Sequence, residues 1–220
     1  MDFKALLSFL KNLSKNNNKA WFDTHKKEYD TLRKQWVEFV AQTIEQTGNF
    51  DQDIAMLEPK NCIFRINRDV RFSNDKSPYK NNFGMSLSKG GKKAEFCGYY
   101  LHVQPGACFL AGGAYMPMPD KLAAIRQEID YNLDEFLAII NHKSFKKHFG
   151  SLSGEKLQRP PKGYDTDNPA IALIKHKSFL AEYKIIDQDL LDEDFPQKMM
   201  EVFKAMQPLN EFLNRAISEV

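Results

Sequence analysis

Residues 65–80 read R-I-N-R-D-V-R-F-S-N-D-K-S-P-Y-K and bring together side chains suited to holding an anion. Arg65, Arg68 and Arg71 recur at every third position, Asp69 and Asp75 lie among them, and Lys76, Tyr79 and Lys80 follow. The planar fork of arginine binds a carboxylate or phosphate through two parallel hydrogen bonds. Arg65, Arg68, Arg71 and Lys76 could therefore hold one multiply charged anion, with Tyr79 donating a hydrogen bond. Asp69 would orient an arginine, or act as a general base if its surroundings raised its pKa. The same residue types also build a structural network, in which Asp69 and Asp75 pair with arginines and fix a loop that binds nothing. Both readings stay open at the level of sequence. In a simple strand Arg68 and Asp69 would point to opposite faces. Convergence of the three arginines thus requires a turn or bulge near Asn67, and we expect the strand to end near Ile66 or Asn67. Asn74-Asp75 and Ser77-Pro78 are turn formers, so Arg68 to Lys80 should form a structured loop, where binding residues concentrate.

Other chemistries are weaker. Ser73-x-x-Lys76 has serine–lysine acyl-enzyme spacing. So do Ser8-x-x-Lys11, Ser86-x-x-Lys89 and Ser144-x-x-Lys147, among others, and so many matches in one chain make the pattern uninformative. There is no G-x-S-x-G elbow, H-E-x-x-H helix, EF-hand loop or Cys/His cluster, and no metal site is assigned. His25, His102, His142, His148 and His176 are scattered; His102 reads as a sheet residue and Lys175-His176-Lys177 as a solvated helix end. Gly90-Gly91-Lys92 lacks Walker A spacing and no G-x-G-x-x-G follows a strand, so no nicotinamide or flavin motif is present. Cofactors and catalytic residues remain unassigned. Cys62, Cys97 and Cys108 fall in apolar contexts and read as core. Three cysteines without C-x-x-C argue against a disulfide framework or zinc ribbon.

Composition sets the class. Of 220 residues, 42% are hydrophobic and 27% charged, which excludes a disordered or collagen-like chain. No apolar run reaches the length of a membrane helix, and the N-terminal MDFKALLSFLKNLSKNNNK lacks a secretory h-region. A cytoplasmic protein with no membrane partner is expected; its oligomeric state is not legible. The net charge of +2 hides an uneven distribution. Lys60 to Lys93 holds nine basic residues against two acids, a net +7, whereas Ala181 to the end holds nine acids against four bases, a net −5. Phe64, Phe72, Tyr79, Phe83 and Phe96 sit in or beside the basic centre. Basic groups beside aromatics can track phosphates and stack bases. This gives a second function class: a non-enzymatic interaction module whose basic loop contacts nucleic acid or an acidic partner.

The positioning elements follow from periodicity. Phe3, Leu6, Leu7, Leu10 and Leu13 lie at helical spacing behind Asp2, a good N-cap. The stripe Trp21, His25, Tyr29, Leu32, Trp36, Phe39, Val40 and Thr43 predicts one longer helix ending at Gly48. Asn61–Ile66, Asn82–Leu87, Phe96–Val103 and Cys108–Tyr115 read as strands, with Gln104-Pro105-Gly106-Ala107 as a type II turn and Ser88–Lys93 as a loop. Pro119 opens a helix, Asn132 caps the next, and Asn168-Pro169 opens another. Phe179 to Ile186 reads as one more strand, and Asp194 caps a final helix containing Pro208. The predicted fold is α+β: a mainly antiparallel sheet of about four to six strands with long helices before and after it. A single domain spanning 1–220 is expected, helical over 1–48, strand-rich over 60–116 and helical over 117–220, with one extra strand near 179–186.

The motif Arg65-x-x-Arg68-Asp69-x-Arg71-Phe72-x-x-Asp75-Lys76-x-x-Tyr79 resembles the signature of domain-of-unknown-function family 2461. Asn18-Lys19-Ala20-Trp21-Phe22, Gly98-Tyr99-Tyr100, Gly112-Gly113-x-Tyr115-x-Pro117 and Leu157-x-Arg159-Pro160-Pro161-Lys162-Gly163 also look like family segments. The resemblance covers nearly the whole chain. It implies a single bacterial domain of this length and brings no catalytic role. The reading taken forward is a protein that binds a phosphate- or carboxylate-bearing small molecule at Arg65, Arg68, Arg71, Lys76 and Tyr79, with Asp69 and Asp75 orienting or structural.

Overall fold

The computed structural model describes residues 1–219 and has an α+β architecture, with helices before and after one antiparallel four-stranded sheet. Asp2 starts α1 (Phe3–Lys15), its carboxylate accepting from the Ala5 amide at 2.8 Å. Asn18 likewise caps α2 (Lys19–Thr24) through the Trp21 amide at 3.0 Å. The single long helix expected from Trp21 onward is divided at His25. There Nδ1–H donates to the Trp21 carbonyl at 2.8 Å and the imidazole stacks on the indole at 3.9 Å. The Trp21 carbonyl thereby accepts from both the ring and the amide of His25. The chain resumes as α3 (Lys26–Gly48), which buries Trp36, Phe39, Val40 and Ile44.

The strand expected over Asn61–Ile66 is replaced by a short helix, α4 (Pro59–Cys62), and an isolated antiparallel bridge between Ile63 and Met85. Pro59 is pre-set for the first helical turn, and the Asn61 amide turns back onto the Glu58 carbonyl at 2.8 Å. The sheet comprises β1 (Phe83–Ser88), β2 (Gly98–Val103), β3 (Cys108–Ala114) and β4 (Phe179–Ile185), in that spatial order. The Gln104–Ala107 turn closes with a 2.9 Å backbone bond, and Gly106 supplies the positive φ of +74° that its third position needs. Gly113 has φ +106°, and a Cβ there would lie 2.0 Å from the Phe179 carbonyl oxygen. Only glycine permits β3 and β4 to approach this closely.

The later helices are α5 (Pro119–Tyr131), α6 (Leu133–Asn141), α7 (Lys143–Phe149), α8 (Ile171–Ile174) and α9 (Phe195–Ile217), the last containing Pro208. Asn132 was expected to cap α6, but its side chain makes no capping bond; it donates to Glu128 Oε1 at 3.1 Å instead.

The chain divides into two compact units. The first is built from Met1–Lys93, Tyr100–Leu110 and Lys184–Met200, and contains the whole of residues 65–80. In it Phe83 of β1 meets Trp36 edge-on at 5.6 Å, and Phe3 meets Phe39 and Phe195 at 5.3 and 5.4 Å. Each such buried ring contributes about 1.5–3 kcal/mol. The second unit is built from Ala94–Tyr99, Ala111–Tyr183 and the described residues from Glu201 onward. Tyr99 packs there on Phe203 at 5.0 Å, and Asn214 takes both backbone polar groups of Cys97, at 2.8 and 3.1 Å. Arg215 bridges Glu128 and Glu135. Cys62, Cys97 and Cys108 are buried thiols, and burial raises each pKa, to about 11 for Cys62 and Cys108. Among the described residues, no helix is long and apolar enough to cross a membrane.

Candidate functional site

The segment enters from the Ile63 bridge, bends at Ile66 and pairs with its own far end. The Lys80 amide donates to the Ile66 carbonyl at 2.8 Å and the Arg68 amide to the Pro78 carbonyl at 2.9 Å, around a bridge between Asn67 and Tyr79. Residues 69–77 form the loop above this clasp. Asn17, between α1 and α2, fastens the clasp from outside: its amide donates to the Tyr79 carbonyl at 2.9 Å and accepts from the Tyr79 N–H at 3.1 Å. Asn17 thereby mimics a paired strand. The Tyr79 ring is buried and stacks on Phe22 at 4.0 Å. Its visible role is to seat the loop on α2.

Both carboxylates of the segment are matched inside it. Arg68 pairs with Asp75 and reaches the Ser73 hydroxyl at 3.4 Å. Asp75 also accepts from the Ser77 amide at 2.9 Å. Ser77 first, and Arg68 with it, hold the Asp75 carboxyl well below the usual carboxylate range. Arg71 grips Asp69 with both prongs, Nε at 3.0 Å and Nη2 at 2.7 Å. That pairing, with the Arg71 amide and the charge of Arg65, lowers the Asp69 pKa. A general base at neutral pH needs the opposite shift, so Asp69 stands as a partner of Arg71. Lys76 donates to the Val70 carbonyl at 3.0 Å and has no carboxylate in ion-pair distance among the described residues.

Arg65 and Lys80 also lack an ion pair among the described residues, and they lie in electrostatic range of each other. Lys80 is half-buried, its Nζ 5.4 Å from the centre of the Phe64 ring. Burial first, and Arg65 second, lower its pKa. At the loop tip Phe72 is 96% exposed, with the Arg71 guanidinium 5.8 Å from its ring centre. Arg68 and Arg71 are thus each paired with a carboxylate of the loop, and Arg65 lies in electrostatic range of Asp69, the partner of Arg71.

Sequence reasoning passed over the neighbouring sheet face. Buried Tyr99, Leu101 and Val103 alternate along β2 with half-buried Tyr100 and His102, and half-buried Phe109 follows on β3. His102 Nε2–H donates to Gln104 Oε1 at 3.1 Å, and Nδ1 accepts from the Tyr100 hydroxyl at 2.9 Å. Burial lowers the His102 pKa, which keeps this neutral tautomer, and pushes Tyr100 up to about 12. The Asn82 amide nitrogen approaches Nδ1 at 3.4 Å. The signal available in the sequence was polar Tyr100-x-His102-x-Gln104 alternation, which strand periodicity places on one face. Among the described residues no group of three or more His, Cys, Asp and Glu could hold a metal ion.

A family model described as a conserved hypothetical protein, DUF2461, matches residues 5–212. Searches of curated proteins and of solved structures gave no match.

Proposed function

The chain belongs to the DUF2461 family of conserved hypothetical proteins, and from that footing we propose that it binds a phosphate- or carboxylate-bearing small molecule through loop cations that no internal ion pair compensates. Residues 65–80 carry five cations, at 65, 68, 71, 76 and 80, and two carboxylates. The observation supporting this reading is the way the pairs fall. Asp75 and Asp69 match Arg68 and Arg71, which leaves Arg65, Lys76 and Lys80 as a local surplus of three positive charges. Arg65 and Lys80 repel one another, and an anion placed between them would relieve that repulsion and the partial desolvation of Lys80. In this reading Arg68, Asp69, Arg71 and Asp75 set the shape of the loop and Tyr79 seats it. An anion entering the loop would meet geometry already formed, so little ordering entropy opposes binding.

A second reading, contact with nucleic acid, is favoured by Phe72 alone, since a solvated ring beside an arginine is a stacking platform. One set of titrations separates the two. At low salt, inorganic phosphate should bind the wild type, and Arg65→Gln and Lys80→Gln should each weaken it about tenfold, the loss of one charge-assisted hydrogen bond. Phe72→Ala should leave that affinity unchanged. Absence of phosphate binding at millimolar concentration would overturn the small-anion reading. Oligonucleotide binding that falls steeply with salt and is lost in Phe72→Ala would replace it with the second. If neither probe binds, the loop is a structural clasp.

A further inference from the structure

We infer that the half-buried face of β2 and β3 beside the motif is a stacking floor, and that the anion held by Lys80 is a planar aromatic one: an aryl group carrying a phosphate or carboxylate. This rests on the anion reading above and names the ligand class for the same site.

Four rings form the floor, and all lie in the first compact unit. Phe64 meets Tyr100 edge-on at 6.2 Å, Tyr100 meets Phe109 at 5.7 Å, and His102 stacks on Phe109 at 4.8 Å with the planes 16° apart. None is fully buried, although the alternate residues of both strands are. Gly84 of β1 makes the floor possible. A Cβ there would lie 2.9 Å from the Tyr100 hydroxyl and 3.3 Å from Phe64. Its absence leaves room for both rings beside the strand.

Polar groups at the floor are already arranged. The chain Tyr100–His102–Gln104 uses the Tyr100 proton and both imidazole nitrogens, so His102 is a positioning residue that fixes the Tyr100 ring. The Tyr100 oxygen keeps acceptor capacity towards a ligand. The charge sits at one edge only: Lys80 lies over Phe64, with Arg65 in electrostatic range. No carboxylate pairs with either among the described residues. An inorganic ion would use that edge and leave the rings in water. A planar aromatic with an anionic substituent uses both, because ring-on-ring stacking and the lysine charge then act on one rigid molecule.

Phenyl phosphate and methyl phosphate carry the same anionic group and differ in the ring, so they isolate the floor. In calorimetric titrations of the full chain, phenyl phosphate should bind roughly tenfold more tightly than methyl phosphate. Phe109→Leu, which keeps volume but removes the ring, should erase that advantage and leave methyl phosphate affinity as it was. Gly84→Ala, which crowds the Tyr100 hydroxyl and Phe64, should also erase the advantage of phenyl phosphate, so the test does not hang on one variant. Lys80→Gln should weaken both probes. Equal affinity for the two probes, or an advantage that survives both floor variants, would overturn the aromatic inference and leave the anion reading standing. Failure of both probes to bind would overturn both.

Discussion

Arg68 and Asp69 are neighbours in sequence with opposite environments. Arg68 is held at both ends: its amide bonds to Pro78 and its guanidinium, 26% exposed, bonds to Asp75 and Ser73. Asp69 is 46% exposed and pairs with an Arg71 that is itself largely solvated. Ion pairs between solvated groups contribute little, so the less exposed guanidinium of Arg68, rather than Asp69, should carry more of the loop's stability. Arg68→Ala should lower the thermal midpoint clearly, because it leaves Asp75 without its guanidinium and opens the clasp. Asp69→Ala should lower it negligibly. Equal midpoints, or a larger drop for Asp69→Ala, would show that the loop is not braced through Arg68.

At the scale of elements, the segment between α1 and α2 governs the motif from a sequence distance of 62 residues. Asn17 gives two hydrogen bonds to the Tyr79 backbone, and α2 presents Phe22 to the Tyr79 ring. Asn17→Ala leaves the Tyr79 amide and carbonyl without that partner and should cost about 1–3 kcal/mol. It should also speed hydrogen exchange at the Tyr79 and Arg68 amides while protection in β2 is kept. Unchanged exchange at Tyr79 would mean that the clasp stands on its own backbone pairing. A loop loosened in this way should bind phosphate more weakly, since Lys80 directly follows the fastened residue.

For the whole molecule, pH is the lever. Burial lowers the pKa of His102, His148 and His176 from the ordinary 6.5. Below about 6.5 the unfolded chain then binds more protons than the folded one, so stability falls as pH drops from 6.5 towards the folded values. Asp69, Asp75 and Glu135 have lowered pKa values through their arginine and serine partners. Their contribution is present above the unfolded carboxylate values of 3.8 to 4.5 and is lost as pH falls below them. Acid unfolding should therefore proceed in two windows. Thermal midpoints measured from pH 7 to pH 3 should show a first decline beginning near 6.5, flattened in His176→Gln, and a second below about 4.5. A midpoint constant between pH 7 and 5 would show that the histidines titrate alike in both states.

The sequence by itself determined most of the elements. Asp2, Asn18, Pro119, Asn168 and the Gln104–Ala107 turn act on their own few neighbours, so their effects can be read locally. The α+β order followed from the change of hydrophobic period. Ile63 was read as part of a strand and makes only a bridge, because Pro59 winds the preceding residues into a helical turn. Charge sign and spacing marked residues 65–80 as unusual but could not pair them. Pairing depends on the bend at Ile66, on the reach of Asn17, and on which carboxylate each guanidinium meets. The floor of Phe64, Tyr100, His102 and Phe109 was equally hidden, because each ring taken singly is an ordinary strand residue. Only strand order, and a missing Cβ at Gly84, set them side by side. Local chemistry is written in neighbouring residues, whereas a site is a coincidence of distant ones, and only the tertiary structure decides it.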